Sequence, residues 1–404
     1  MSFNWPLIND NFSEVDREEV ISWLRKNPRL TQGPKVAEFE EVWSEWQGVK
    51  HSVFVNSGAS ANFIMFSIVN ELIGRNHFLK TGRQAEVITS PLGWVSDVSP
   101  VVMMGMKPVF VDVNLQNMSM NTEKIIEAVT EDTVAINLVH VLGFNAVDSG
   151  LVQYCDEKGI LLIEDCCESH GATYLDNKIG TYGDMSNFSF YFGHHMTTIE
   201  GGMVCTNDDE LYEYMKLFRS HGMTRETSPK FRERYEKEYP ELNPLFTFAV
   251  PAINMRNTEF NAVVGLSQIK RLDTNISLRQ HNLNVWLDNL DPKIFYTNFD
   301  SKGSSNFSLP LIVRPDMTEE DKEGLMGEVC EVLEEEKIEY RVGTAGGGNQ
   351  TLQPYLKSGK YEYRIHDHLD NTNHIHDYGL YIGNHTELTE QQVINLCDQL
   401  ASTP

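Results

Sequence analysis

The sequence predicts an α/β protein: a large, mostly parallel seven-stranded sheet covered by helices, then a smaller C-terminal α+β part. Three observations lead there. Seven short, β-branched, nearly continuous apolar runs lie at 52–55, 87–90, 108–113, 134–141, 160–164, 187–192 and 203–206. Continuous rather than alternating apolar character marks strands buried on both faces. Most of the runs are separated by stretches of helical length, which parallel neighbours need for their crossovers. Beyond residue 295 the alternation continues on a smaller scale, with strand-like 306–313, helical 319–336 and strand-like 338–342.

Taken in order, 14–26 reads as a helix, and 33–46 as a second one because Val36, Phe39, Val42 and Trp43 recur at helical spacing. After residue 206 come two polar or mixed helices, and the charged stretch 224–241 reads as an exposed excursion. A long helical run at 259–290 links the two parts, which divide at 1–265 and 266–404. The sequence shows no internal repeat and no low-complexity segment.

Composition excludes several classes. The 404 residues carry 33 Lys+Arg against 58 Asp+Glu, a net charge of −25 that would repel a nucleic-acid backbone. No stretch approaches the ~18 apolar residues of a membrane helix. The first residues, MSFNWPLIND, lack a basic region and an apolar core, so a cytoplasmic protein is expected. The six cysteines, at 155, 166, 167, 205, 330 and 397, are too sparse for a disulfide framework and read as free thiols.

Three segments carry chemistry. Asn56-Ser57-Gly58-Ala59-Ser60-Ala61-Asn62 lies where a strand gives way to a helix, so its N–H groups either bind an anion such as phosphate or simply cap the helix. It is not the Walker pattern, since no Gly-Lys-Ser/Thr follows. Leu162-Ile163-Glu164-Asp165-Cys166-Cys167-Glu168-Ser169-His170-Gly171 places Asp165 at the carboxyl end of a buried strand, where ligands of open α/β sheets bind. The alternative for Asp165 is a helix cap. Adjacent Cys166-Cys167 lacks zinc-site spacing. The third segment is Ser189-Phe190-Tyr191-Phe192-Gly193-His194-His195, followed by Glu200-Gly201-Gly202. Two His pairs, His366/His368 and His374/His376, are read as solvated loop residues rather than a metal site, and 334–337 as a solvated helix end.

These segments, with Thr31-Gln32-Gly33-Pro34, Asn254-Met255-Arg256-Asn257-Thr258-Glu259, Gly265-Leu266-Ser267-Gln268 and Gly347-Gly348-Asn349, resemble the DegT/DnrJ/EryC1/StrS family of sugar aminotransferases over nearly the whole chain. The resemblance implies an aspartate aminotransferase-like fold, that of PLP-dependent fold type I, with pyridoxal phosphate bound in the first part. One departure stands out. Ordinary members carry, six residues before the Glu-Gly-Gly, the lysine that forms a Schiff base with the cofactor; counting back from Glu200, that position is His194. No lysine lies between Lys178 and Lys216. Paired histidines after Ser-Phe-Tyr are similar to a subgroup of the family, the NDP-4-keto-6-deoxysugar 3-dehydratases, which implies pyridoxamine phosphate as working cofactor and His194 as the acid and base of the reaction.

The resemblance further implies that Gly58, Ala59, Ser60 and Ser189 hold the cofactor phosphate and that Asn254 reaches it from the second subunit of a homodimer. It implies that Asp165 pairs with the pyridine nitrogen, that Trp94 stacks on the ring, and that Glu168 lies near it. On its own Trp94 would more often be a core tryptophan. Arg225 and Arg341 are candidate anchors for a nucleotide diphosphate or a donor carboxylate, or else surface ion-pair residues. The implied reaction is C3 deoxygenation of a nucleotide-linked 4-keto-6-deoxy sugar for polysaccharide biosynthesis. One branch of the subgroup acts on CDP sugars with an iron–sulfur cluster. No cysteine falls between Cys205 and Cys330, so no cluster is expected. The cluster-free branch acts on GDP-4-keto-6-deoxymannose with glutamate as amino donor, and Gly383-Asn384-His385 also resembles it. An aminotransferase working without the lysine, and a non-catalytic sugar-nucleotide binder, remain as alternatives.

Overall fold

The computed structural model describes residues 4–9 and 11–402. Thirteen strands occur among them. They are β1 (His51–Val55), β2 (Glu86–Thr89), β3 (Lys107–Val111), β4 (Thr133–Val139), β5 (Leu161–Asp165), the short hairpin β6 (Thr173–Tyr174) and β7 (Asn177–Lys178), β8 (Met185–Ser189), β9 (Gly202–Thr206), β10 (Ser308–Ile312), β11 (Tyr340–Val342), β12 (Arg364–His366) and β13 (Gly379–Gly383). The large sheet has the order β1-β9-β8-β5-β4-β2-β3-β12. Only β9 runs against its neighbours β1 and β8; the remaining pairings are parallel. Strands β4, β8 and β9 are buried along their whole length, which the mostly apolar runs of β4 and β9 reflect, whereas β8 buries Ser186, Asn187 and Ser189.

The seven expected strands are all present, and the sheet has an eighth. Arg364–His366 pairs in parallel with β3 at the edge, and Arg364 bonds Glu86 at 2.9 Å. Three residues alternating in polarity give no apolar run, so nothing in the sequence announces this strand. The helical run at 259–290 is two α-helices, Glu259–Gln268 and Leu272–Asn289, joined by a 3-10 turn at Ile269–Arg271. The excursion holds a helix, Pro229–Glu238, with Phe231 its one buried side chain. The loop reading of the histidine pairs is corrected: His366 ends β12 opposite Val111, and the second pair lies on the helix Asp370–Tyr378, where His374 Nε2 meets the Val313 carbonyl at 2.8 Å.

The first helix, Glu14–Leu24, starts at a capping box made by Ser13 and Asp16. Buried Asp16 also takes two bonds from Arg271, at 2.6 and 3.0 Å, which fixes the arm to the linking helices. In the C-terminal part β10, β13 and β11 form an antiparallel sheet. The cluster around Trp286, Leu309 and Ile382 continues into Leu92, Val139 and Leu142 of the large sheet and takes in Trp5 and Leu7 of the arm. Trp5 donates to the Gly383 carbonyl at 2.8 Å.

The loop after β4 meets residues 303–306 so closely that a Cβ on Gly143, whose φ is +91°, would lie 1.9 Å from the Ser305 carbonyl oxygen. Gly143→Ala should therefore cost about 2 kcal/mol or more in urea unfolding, from left-handed strain plus the clash. A loss below about 0.5 kcal/mol would contradict this packing.

Candidate active site

Asp165 ends β5 at the carboxyl edge of the sheet and is buried. A buried carboxylate must be satisfied by donors. Oδ2 accepts from the side-chain amides of Asn62 and, at 3.3 Å, Asn187, and Oδ1 accepts from the Cys167 N–H at 2.9 Å. Asn62 sits on the helix Gly58–Val69 and also reaches Ser96 Oγ at 3.3 Å, just past Trp94. Asn187 is on β8, two residues before Ser189. The carboxylate thus gathers the 57–60 turn, the Trp94 turn and β8, which leads into the histidine turn, around itself.

The helix Gly58–Val69 is capped by the Ser57 hydroxyl, which accepts the Ser60 N–H at 3.0 Å. This leaves the N–H groups of Gly58 and Ala59 turned out of the helix end, while Ser60 Oγ accepts from Ser57 at 3.0 Å. A Cβ on Gly58 would stand 2.6 Å from Ser189 Cβ, so glycine is required for the two segments to meet. Free N–H groups, the helix dipole and the Ser189 hydroxyl form a cradle for a phosphate. Trp94, 58% exposed, leaves its indole open above the floor.

The paired histidines have separate environments. His195 is fully buried, and its Nε2 lies 3.1 Å from the Ser305 carbonyl and 3.0 Å from Ser305 Oγ. His194 is partly accessible; its Nδ1 has no partner among the described residues, and its ring lies against Tyr191, Phe307 and His170. Burial holds His194 down to about 4, with the Asp165 charge pulling upward and Arg279 downward. Arg279, buried with no carboxylate partner among the described residues, donates to the carbonyls of Phe307 at 2.7 Å, Asn384, and His194 at 3.5 Å. The arm completes the enclosure: Asn11 Nδ2 donates to the His194 carbonyl at 3.3 Å, and Ile8 packs on Gly193.

Glu168 accepts the Leu142 N–H at 2.7 Å, and burial raises its carboxyl to about 8, so it is protonated at neutral pH. Tyr381, whose hydroxyl is pushed upward by burial and then by Glu168, stands opposite Arg341 in the β11–β13 register, which puts Arg341 on the rim. Arg225 and Asn254 are not brought in within one chain. Asn254 Oδ1 is turned to Arg256 at 3.0 Å, and Arg225 lies over the Phe246 ring at 5.5 Å. The sequence reading missed Asn62, Asn187, Arg279 and Asp97, a buried carboxyl in the turn after Trp94; the last is raised by burial and by the Asp165 charge.

The lysines that flank the histidines in sequence are engaged elsewhere. Lys178 donates to the Trp46 carbonyl and lies 4.0 Å from that ring, and Lys216 pairs with Glu213 at 2.9 Å. Among the described residues His140, Glu164 and Cys166 alone bring three metal-ligand atoms together, yet Glu164 already accepts the N–H groups of Gly180, Tyr182 and Gly183. His140 Nδ1 accepts that of Ala146.

A histidine held near 4 stays neutral while its unfolded counterpart, near 6.5, protonates. Stability present above about 6.5 is therefore lost as pH falls toward about 4, and burial of His170 and His195 adds to the same trend. The urea midpoint should fall across that window and fall less steeply in His194→Asn. Equal slopes in both proteins would contradict the assignment.

Residues 12–401 match the model of the DegT/DnrJ/EryC1/StrS aminotransferase family. The GDP-4-keto-6-deoxy-D-mannose 3-dehydratase of Escherichia coli O55:H7 is 29% identical over 385 residues, 95% of each chain. A crystal structure of GDP-4-keto-6-deoxymannose-3-dehydratase with a trapped PLP-glutamate geminal diamine superposes with a TM-score of 0.84 at 27% identity, covering 98% of this chain and 100% of that one. A mutant of such an enzyme with bound GDP-perosamine gives 0.83 at 28% identity, with coverage of 98% and 100%. Together with the α/β fold and the residues gathered at Asp165, the match places the chain in the DegT/DnrJ/EryC1/StrS aminotransferase family.

Proposed function

We propose that the protein is a pyridoxamine-phosphate-dependent 3-dehydratase of a nucleotide-linked 4-keto-6-deoxy sugar, GDP-4-keto-6-deoxymannose in particular, with glutamate regenerating the amine. The observation that carries the reading is a histidine, not a lysine, at position 194, within reach of the Asp165 charge. The residues fit the cofactor. The Gly58/Ala59 N–H groups and Ser189 suit its phosphate, Asp165 its pyridine nitrogen, and the open Trp94 face its ring, while the unpartnered Nδ1 of His194 is free to exchange a proton.

When bound, the cofactor supplies an amine that condenses with the 4-keto group and a ring that takes up electrons. Asp165 would pair with the protonated pyridine nitrogen; such a contact is worth roughly 4 kcal/mol at 4 Å and an effective dielectric of 20, before desolvation. Neutral His194 would accept the proton from the carbon beside the ring and pass it to the departing 3-hydroxyl. The environment that keeps His194 unprotonated also makes its imidazolium a strong acid, which favours the second transfer. Overall, sugar and glutamate give 3-deoxy sugar, 2-oxoglutarate and ammonium: glutamate supplies the two electrons, and the water lost from C3 is returned in releasing ammonium.

We infer a homodimer with shared sites. Phe246, Phe248 and Ile253 are each more than half exposed, and they flank Arg225 and Asn254 on one apolar face. A second copy covering that face would bring Asn254 to the neighbour's phosphate turn and Arg225 toward its substrate. Sedimentation should then give twice the 46.1 kDa chain mass. An active monomer would sink this inference.

Incubation with GDP-4-keto-6-deoxymannose, glutamate and pyridoxal phosphate, read by mass spectrometry, should give the 3-deoxy sugar with ammonia. An amino sugar would favour the aminotransferase alternative, and no turnover the binding protein. His194→Asn should lower dehydration by at least about 10²-fold while retaining pyridoxamine phosphate. His195→Asn should lose stability yet keep the chemistry; the reverse pattern would show that the acid–base group is misassigned.

A further inference from the structure

We propose that Asp97 is a positioning residue for the pyridine-nitrogen subsite, acting through its hydrogen bond to Asp165. Asp97 closes the 3-10 turn Val95–Asp97, whose first residue follows Trp94, and is 1% exposed. Its carboxyl contacts that of Asp165. Two touching buried carboxyls do not both ionise, so the pair holds one proton. The donors decide which member carries it. Asp165 receives three N–H groups, from Asn62, Asn187 and Cys167, whereas Asp97 receives one, from Asn137 Nδ2 at 3.3 Å. Asp165, with more donors aimed at it, is the better-placed acceptor, and Asp97 carries the proton and donates to Asp165 as a fourth partner.

Burial and the nearby Asp165 charge both drive Asp97 toward its neutral form, in agreement with this arrangement. The other titratable groups facing the pair, Glu168, Tyr355, Cys167 and His194, add no cation to reverse it. Glu168 is protonated at neutral pH, and His194 is neutral. The consequence is functional. A fourth donor completes the set of partners around the Asp165 carboxylate, so that it serves as acceptor for a protonated pyridine nitrogen; without that donor the acceptor is one partner short. The site presents one negative charge to one cationic heterocycle.

The inference rests on the cofactor reading above but not on dehydration, so its test uses binding alone. Pyridoxamine phosphate labelled at the ring nitrogen is titrated into the full-length protein and into Asp97→Asn and Asp97→Leu, and the nitrogen NMR shift and the affinity are read at neutral pH. Asparagine keeps a donor to Asp165 and an acceptor for Asn137, so Asp97→Asn should match the unaltered protein within about twofold, with the nitrogen protonated. Asp97→Leu should show an unprotonated nitrogen and about tenfold weaker binding, and Asp97→Ala carries the same expectation should the leucine variant not fold. A protonated nitrogen with unchanged affinity in the leucine or alanine variant overturns the inference, as does an asparagine variant that behaves like leucine. Failure of the unaltered protein to bind would overturn the cofactor reading itself, whereas failure confined to the variants bears on Asp97 alone.

Discussion

One buried carboxylate organises this molecule. Asp165 stands at the end of a strand whose neighbours on both sides are themselves buried, and its charge is tolerated only because donors converge on it. Each donor comes from a different segment: Asn62 from the helix after β1, Asn187 from β8, and the Cys167 N–H from the turn that follows β5. Satisfying the charge is thus the same act as bringing the 57–60 turn, the Trp94 turn and the strand that leads to the histidines to one edge of the sheet. Losing one partner would leave the charge underpaired and at the same time loosen the site.

The adjacent histidines show how environment divides labour between identical side chains. His195 is spent on structure, locked against Ser305 in the contact between the large sheet and the loop before β10. His194 keeps one ring nitrogen unpartnered and is positioned through its main chain, by Asn11 and Arg279, so that its side chain remains available. A primary amine at this position would be drawn into covalent chemistry with a carbonyl cofactor, whereas an imidazole can only move protons.

Much of this was legible in the sequence because the relevant signals are local. Unbroken β-branched runs mark buried strands, and the count back from Glu200 fixes the register of His194. The structure then separates His194, partly accessible, from His195, fully buried. Other features are not local. Asp97 precedes Ser99-Pro100 and looks like any acidic residue near a helix start; its meaning depends on a contact with a strand end 68 positions away in the chain. Arg279 lies in a polar-looking helix, Leu272–Asn289, and only the fold shows that it faces carbonyls from three segments. The edge strand Arg364–His366 owes its existence to the Glu86 pairing rather than to apolar content.

The central claim is that the site holds its cofactor without a covalent bond to the chain. Borohydride treatment of the pyridoxal-phosphate-loaded protein, followed by intact-mass and peptide analysis, tests this most directly. The account predicts the unmodified chain mass for the natural sequence and a single pyridoxyl adduct at the new residue in His194→Lys. A stoichiometric pyridoxyl-lysine adduct in the unaltered protein would contradict it.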